Sequence, residues 1–255
     1  MSVLRFSLLL PMTLLLACSA PAPKEAPAVD PPAASEEADY GESPKEHMRE
    51  HFVDATGIHE AVVRGDVEAL RAAASRLANH APLPTLGKDA ESAVMSVRTA
   101  AAQARDAVTL SEAAKAVGTL GAVCGDCHAS ISVSPEFLDA TKPTEDSSVQ
   151  GHMARHAWAV NRAWEGLVAG NAKRWERGLN MLAEPPLPRS AFGPEPPMAA
   201  MASSNRVHEL AVAGLTAADA TSRGEVYGQL VAACSTCHTA LGQAPGAGVY
   251  TREQK

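Results

Sequence analysis

Inward-facing residues in this chain recur at spacings of three and four, not two. Met48, His51, Ala55, Ile58 and Val62 fall on one stripe, and Met153, His156, Val160, Ala163 and Leu167 on a second. That period is a helix burying one face. Gly65-Asp66 ends the first helix and caps another that runs to about Asn79. His80 to Gly87, with two prolines, reads as a loop. A third helix is expected over roughly Lys88–Ala107, then a fourth with Ser111 as its N-cap and Cys124 to His128 near its end. The second half repeats the plan, with Pro-rich Glu184–Pro197 as its long loop, and no segment reads as a strand. Four helices on short loops imply an up-down-up-down bundle, in which the end of the fourth lies beside the start of the first. The expected fold class is therefore all-α: two tandem four-helix bundles, 45–142 and 148–242, joined across 131–148 and followed by a flexible tail, 243–255.

The halves are copies. His47-Met48-Arg49-Glu50-His51 recurs as His152-Met153-Ala154-Arg155-His156, and Glu60, Val63 and Gly65-Asp66 recur as Glu165, Val168 and Gly170-Asn171, all 105 residues on. Pro82-Leu83-Pro84 recurs as Pro186-Leu187-Pro188. Self-similarity at one period means one structural unit used twice.

The amino terminus departs from the helical pattern. A short charged start, an apolar run from Phe6 to Leu16 and a small residue before Cys18 make a secretory signal over 1–17, too short for a standard membrane span. Leu15-Leu16-Ala17-Cys18 resembles the bacterial lipobox, which implies that Cys18 is lipidated, and Ser19 after it implies sorting to the outer membrane. Residues 18–44 then form an Ala/Pro/Glu-rich stretch without the apolar surface to fold, a disordered tether. Residues 19–44 hold −5 of the formal charge of −7 and Arg5 holds +1, so residues 45–255 carry −3. A mildly acidic folded part gives nucleic acid nothing to bind. Aromatic residues are only 4% of the chain, so its Ala-rich helices bury little area and would gain from an apolar cofactor.

The strongest chemical signal is also duplicated. Cys124-Gly125-Asp126-Cys127-His128 and Cys234-Ser235-Thr236-Cys237-His238 are two C-x-x-C-H motifs, the attachment pattern of c-type haem. Positions i, i+3 and i+4 share a helix face. Two thiols there can form thioethers to haem vinyl groups, while the imidazole reaches iron. The other readings of Cys124, Cys127, Cys234 and Cys237 are a four-cysteine zinc site, two disulfides or redox pairs. A redox pair belongs in a βαβ context, and zinc leaves the histidine after each pair unexplained. Two covalent haems are expected, with His128 and His238 as proximal metal ligands.

The sixth ligand comes from the helix that starts where the fourth one ends. His51 and His156 recur on its inward stripe and are the expected second ligands, with Met48 and Met153 as alternatives. His47 and His152 sit one turn earlier and are expected at the rim. Trp158, Trp164 and Trp175 are expected to fill core, and Glu60 and Glu165 to lie on the surface. His59, His80 and His208 find no counterpart in the other half and receive no role.

With its haem motif on the last helix and its sixth-ligand region on the first, each repeat resembles the cytochrome c′ family. The resemblance implies a four-helix bundle with haem attached at Cys124, Cys127 and His128, and at Cys234, Cys237 and His238. Typical members hold one haem, dimerise, and place an apolar residue or Met at the distal position. Histidines on the first helix and two fused haem domains depart from that pattern.

The expected function is electron transfer by a di-haem c-type cytochrome lipoprotein, not an enzyme. Its place would be the bacterial cell envelope, anchored by lipid to the outer membrane and facing the periplasm, with redox proteins of the envelope as partners. One rival is a gas-ligand (NO/CO) binding or sensing haem protein, which needs an open or displaceable sixth position. The other is a di-haem peroxidase, which needs distal acid–base residues that the sequence does not offer.

Overall fold

Caps and breakers fall at matching places in both halves of the computed structural model, which describes residues 43–81 and 88–242. Helix α1 (Pro44–Arg64) starts from a Ser43–Glu46 capping box, and α5 (Val149–Val168) from Ser148, whose side chain accepts from the Gly151 amide. Each helix is followed by a left-handed glycine, Gly65 at φ +71° and Gly170 at φ +64°, a conformation that penalises any Cβ. The next residue caps the next helix. Asp66 Oδ1 accepts from the Ala69 amide at 3.0 Å to open α2 (Val67–Asn79), and Asn171 Oδ1 from the Arg174 amide at 3.0 Å to open α6 (Ala172–Leu182). Then follow α3 (Lys88–Asp106) and α7 (Met198–Gly214), the latter after a loop with a short 3₁₀ turn at Arg189–Phe192. The last helices are α4 (Leu110–Ser130) and α8 (Ala220–Ala240).

The cap of helix α4 lies two residues ahead of the expected one. Thr109, not Ser111, is the N-cap, because Glu112 stands three residues after it and closes a capping box onto the Thr109 and Val108 amides. Asp219 and Ser222 do the same for α8. Among the described residues there is no strand, and 131–147 contain no helix. No described helix is long and apolar enough to cross a membrane. The signal segment 1–17, Cys18, the tether up to residue 42, Pro82-Leu83-Pro84 and the tail 243–255 lie outside the described residues.

Consecutive helices pack as neighbours within each half, and the first helix of each half also touches the last. The most extensive contact in the molecule joins the halves, α4 against α8. Small residues permit it. A Cβ on Gly118 would sit 2.1 Å from the Gly224 carbonyl oxygen, and one on Gly228 would sit 2.9 Å from that of Ala114. Gly118 and Gly228 are equivalent, as are Ala114 and Gly224, each pair 110 residues apart. The crossing is thus the same contact made in both directions. It ties the described helices into one compact unit.

Large side chains are concentrated near this seam. Trp164, Tyr227, Leu120, Leu167 and Leu230 are buried beside the alanines. Trp164 and Trp175 fill core as expected, while half-buried Trp158 donates to the Ala140 carbonyl at 3.0 Å and holds the linker. Glu165 overturns its surface assignment: it is fully buried and ion-paired to both Arg162 and Arg174. Helix α5 is covered by α4, α6 and α8, so a face that would be solvated on an isolated bundle is interior here. Burial pushes the Glu165 carboxyl up while the two guanidiniums pull it down.

Candidate functional site

The last turns of α4 and α8 carry the two thiol motifs. Cys124, Cys127, Cys234 and Cys237 are free and partly buried. Burial, then the neighbouring thiol, pushes Cys124 and Cys234 up to about 12. Such thiols stay protonated, opposite to the lowered values that make a redox pair reactive.

Both motif histidines are held in the same way. His128 Nδ1 lies 2.8 Å from the Val168 carbonyl oxygen, and His238 Nδ1 lies 3.0 Å from that of Val63. A carbonyl only accepts, so Nδ1 carries the proton and Nε2 is left with its lone pair. This is the second-shell arrangement that orients a ligating imidazole and fixes its tautomer. The acceptors are available because they sit in the final turns of α1 and α5, where carbonyls lack helical partners. Close approach makes the contact reachable: a Cβ on Gly125 would sit 2.3 Å from the Leu167 carbonyl oxygen. Val63 and Val168 are equivalent positions, and each belongs to the opposite half. The histidine of each motif is therefore braced by the other repeat.

The starts of α1 and α5 assemble a second constellation. His47, His51 and His80 bring ligand atoms within 4.8 Å of one another, and so do His152, His156 and Glu184. His47 and His152, expected at the rim, are buried, with 1% and 5% exposure. A residue just past each second helix, His80 or Glu184, reaches back into the cluster. Burial first, and then neighbouring imidazoles, lower His51 to about 4 and His156 to about 3. Charge on His238 is among the causes at His156, so the end of α8 lies near the start of α5. Met48 and Met153 are partly buried on the same helices.

Sequence reasoning missed the third member of each cluster. His80 does have a counterpart. The Pro-Leu-Pro segments are offset by 104 residues, and the same offset carries His80 onto Glu184. His208, also left without a role, places Nδ1 3.1 Å from the Glu184 carbonyl oxygen and braces that residue. His59 is buried at the seam, stacked 5.3 Å from Trp164, with neither ring nitrogen hydrogen-bonded. Burial, and then the Arg64 charge, push it down to about 3.

Two protonated thiols and an imidazole with a pinned tautomer on one helix face, present twice, suit covalent haem. Protonated thiols do not suit a thiolate redox pair. No protein-family model, curated protein or solved structure matches the chain. The resemblance to cytochrome c′ rests on the motif residues and their places on the helices alone.

Proposed function

We propose that this protein is a di-haem c-type cytochrome lipoprotein that transfers electrons at the periplasmic side of a bacterial envelope. In this reading each half is a haem-binding four-helix unit of the cytochrome c′ type, and the two stand in tandem. The observation that carries the reading is the paired hydrogen bond from His128 and His238 Nδ1 to backbone carbonyls. It leaves the Nε2 atoms as the natural iron ligands, at equivalent positions in two copies.

Haem iron supplies the chemistry, cycling between ferrous and ferric states. The chain's own part is to hold and tune. Cys124 and Cys127, and Cys234 and Cys237, anchor the groups by thioethers. Val168 and Val63 orient the proximal imidazoles and raise their basicity through the Nδ1 hydrogen bond. The His-Met-x-x-His segments would hold the iron on its other side through His51 and His156, or through Met48 and Met153. The seam of α4 on α8 fixes the separation of the two motifs, a precondition for rapid exchange between them. Cys18, lipidated, and the acidic tether would confine the cytochrome to the outer membrane while letting it reach redox partners.

The test is expression in a host with the c-type maturation machinery. Intact mass should exceed the apoprotein by two haems that survive acid–acetone extraction. Protein from a host lacking that machinery should carry none. Zinc on the cysteines and no haem in the matured protein would overturn the reading.

A further inference from the structure

We propose that His47–His51–His80 and His152–His156–Glu184 are two three-ligand sites for a first-row transition-metal dication, separate from the thiol motifs. The proposal stands whether or not haem is attached.

Spacing is the first argument. Bonds of about 2.0–2.2 Å to imidazole nitrogen or carboxylate oxygen, at tetrahedral angles, set ligand atoms roughly 3.3 Å apart. His51 Nε2 lies 2.9 Å from His80 Nδ1. Glu184 Oε1 lies 3.0 Å from His152 Nδ1 and 3.4 Å from His156 Nε2. Each first helix contributes histidines at i and i+4, on one face, and the third ligand comes from within two residues of the end of the second helix.

Hydrogen bonding alone does not account for the second cluster. Glu184 Oε1 and His156 Nε2 are buried and make no hydrogen bond. Oε1 nevertheless lies 3.0 Å from His152 Nδ1 and 3.4 Å from His156 Nε2, close approaches that are not hydrogen bonds. Buried polar atoms are ordinarily satisfied, and a cation between His152 Nδ1, His156 Nε2 and Glu184 Oε1 would satisfy the latter two.

The third ligand is oriented from outside in both copies. His80 Nε2 is 3.2 Å from Glu50 Oε2, which leaves Nδ1 for the cluster. Arg155 Nε donates to Glu184 Oε2 at 2.7 Å, which leaves Oε1 for the cluster. Glu50 and Arg155 are equivalent positions. Between the copies the ligand changed from imidazole to carboxylate and its anchor changed from acid to base. What persisted is a metal-binding group with its outer atom tied down, which is the second-shell logic of metal sites. A purely structural contact needs no such matched exchange of two metal-ligand types. A nitrogen-rich set with one carboxylate suits zinc, copper or nickel over magnesium or calcium.

The sites claim His51 and His156, so in metal-loaded protein the sixth iron positions pass to Met48 and Met153. The test uses the full chain from a c-type-maturing host, cleared with a chelator and dialysed against zinc chloride. Zinc is counted by mass spectrometry of the elements, and haem is counted separately by its pyridine complex. Two zinc ions per chain are expected, with only nitrogen and oxygen neighbours in the zinc X-ray absorption spectrum. H80A and E184A should each lose one zinc and the double variant both, while H80E with E50R, and E184H with R155E, which exchange each ligand together with its anchor, should keep two. Zinc-free wild type, full zinc in the double variant, or sulfur around zinc would overturn the proposal. Zinc without haem would sink the cytochrome reading and leave this one standing; haem without zinc would do the reverse.

Discussion

Gly118→Ala is the most direct test of the α4–α8 seam. The new Cβ would lie 2.1 Å from the Gly224 carbonyl oxygen, and 3.0 Å from both the Gly224 carbonyl carbon and the Gly228 nitrogen. Carbon–oxygen contacts in helix crossings lie near ~3.3–3.6 Å, so the helices must part by about 1 Å. Every obstructing atom is backbone, so no side-chain rotation relieves the clash. Overpacking costs about 1–3 kcal/mol, and this site belongs at the upper end. Against it stands a helix-propensity gain of about 1 kcal/mol for Ala over Gly. The net expectation is a loss of about 2 kcal/mol, or a melting temperature lower by roughly 4–8 °C for a domain of this size. Gly57→Ala is the control. Its Cβ would meet only the Ala73 Cβ at 3.4 Å, so the propensity gain should survive and raise stability by up to about 1 kcal/mol. Thermal and urea unfolding followed by circular dichroism measure both. A Gly118→Ala protein as stable as the wild type, while Gly57→Ala behaves as expected, would show that the two helices do not cross at backbone contact.

Glu165→Ala removes the buried carboxylate shared by Arg162 and Arg174 and leaves them the exposed Asp139 and linker carbonyls; removing one partner of a buried ion pair costs about 3–5 kcal/mol, and unfolding curves should show a loss at the lower end. His59 is held near 3 against an ordinary 6.5. The unfolded chain thus binds a proton the native one does not, and stability present above about pH 6.5 drains away as pH falls toward 3. His59→Leu should flatten stability against pH in that window by up to about 1.4 kcal/mol per pH unit, and an unchanged slope in urea titrations would place the acid sensitivity elsewhere. In zinc-loaded holoprotein, Met48→Leu and Met153→Leu should each turn one haem high-spin, whereas unchanged optical spectra would return the sixth position to His51 and His156. Cys18→Ser should leave precursor or soluble protein in cell fractionation, and continued membrane attachment would rule out a lipid on that residue.

Local signals wrote most of the helical plan legibly. Gly65-Asp66 and Gly170-Asn171 mark a helix end and a helix start in both copies because left-handed glycine and side-chain capping depend on neighbours in sequence. The Thr109 cap was missed by two residues because its strength comes from Glu112, a reciprocal partner that the search for a single cap residue does not weigh. Glu165 was misplaced for a different reason. Its burial depends on α4, α8 and the linker closing over α5, and none of these is encoded in the periodicity of α5 itself. The thiol motifs were readable as motifs, but their brace on Val63 and Val168 joins residues 175 and 40 positions apart. The pairing of His80 with Glu184 lay in plain view once the one-residue drop in repeat offset was followed through the loop.

Because Val63 steadies His238 while Val168 steadies His128, the molecule has the form of an isologous homodimer contact written into a single polypeptide: residue i meets j, and j meets i. In a true homodimer every substitution is made twice, and the two sides stay alike. Fusion removes that restriction. Glu50 can face His80 on one side while Arg155 faces Glu184 on the other, with the shared seam left intact. A single gene thereby holds two sites that diverge in chemistry but cannot be separated, since an isolated half would lose the carbonyl that orients its own histidine.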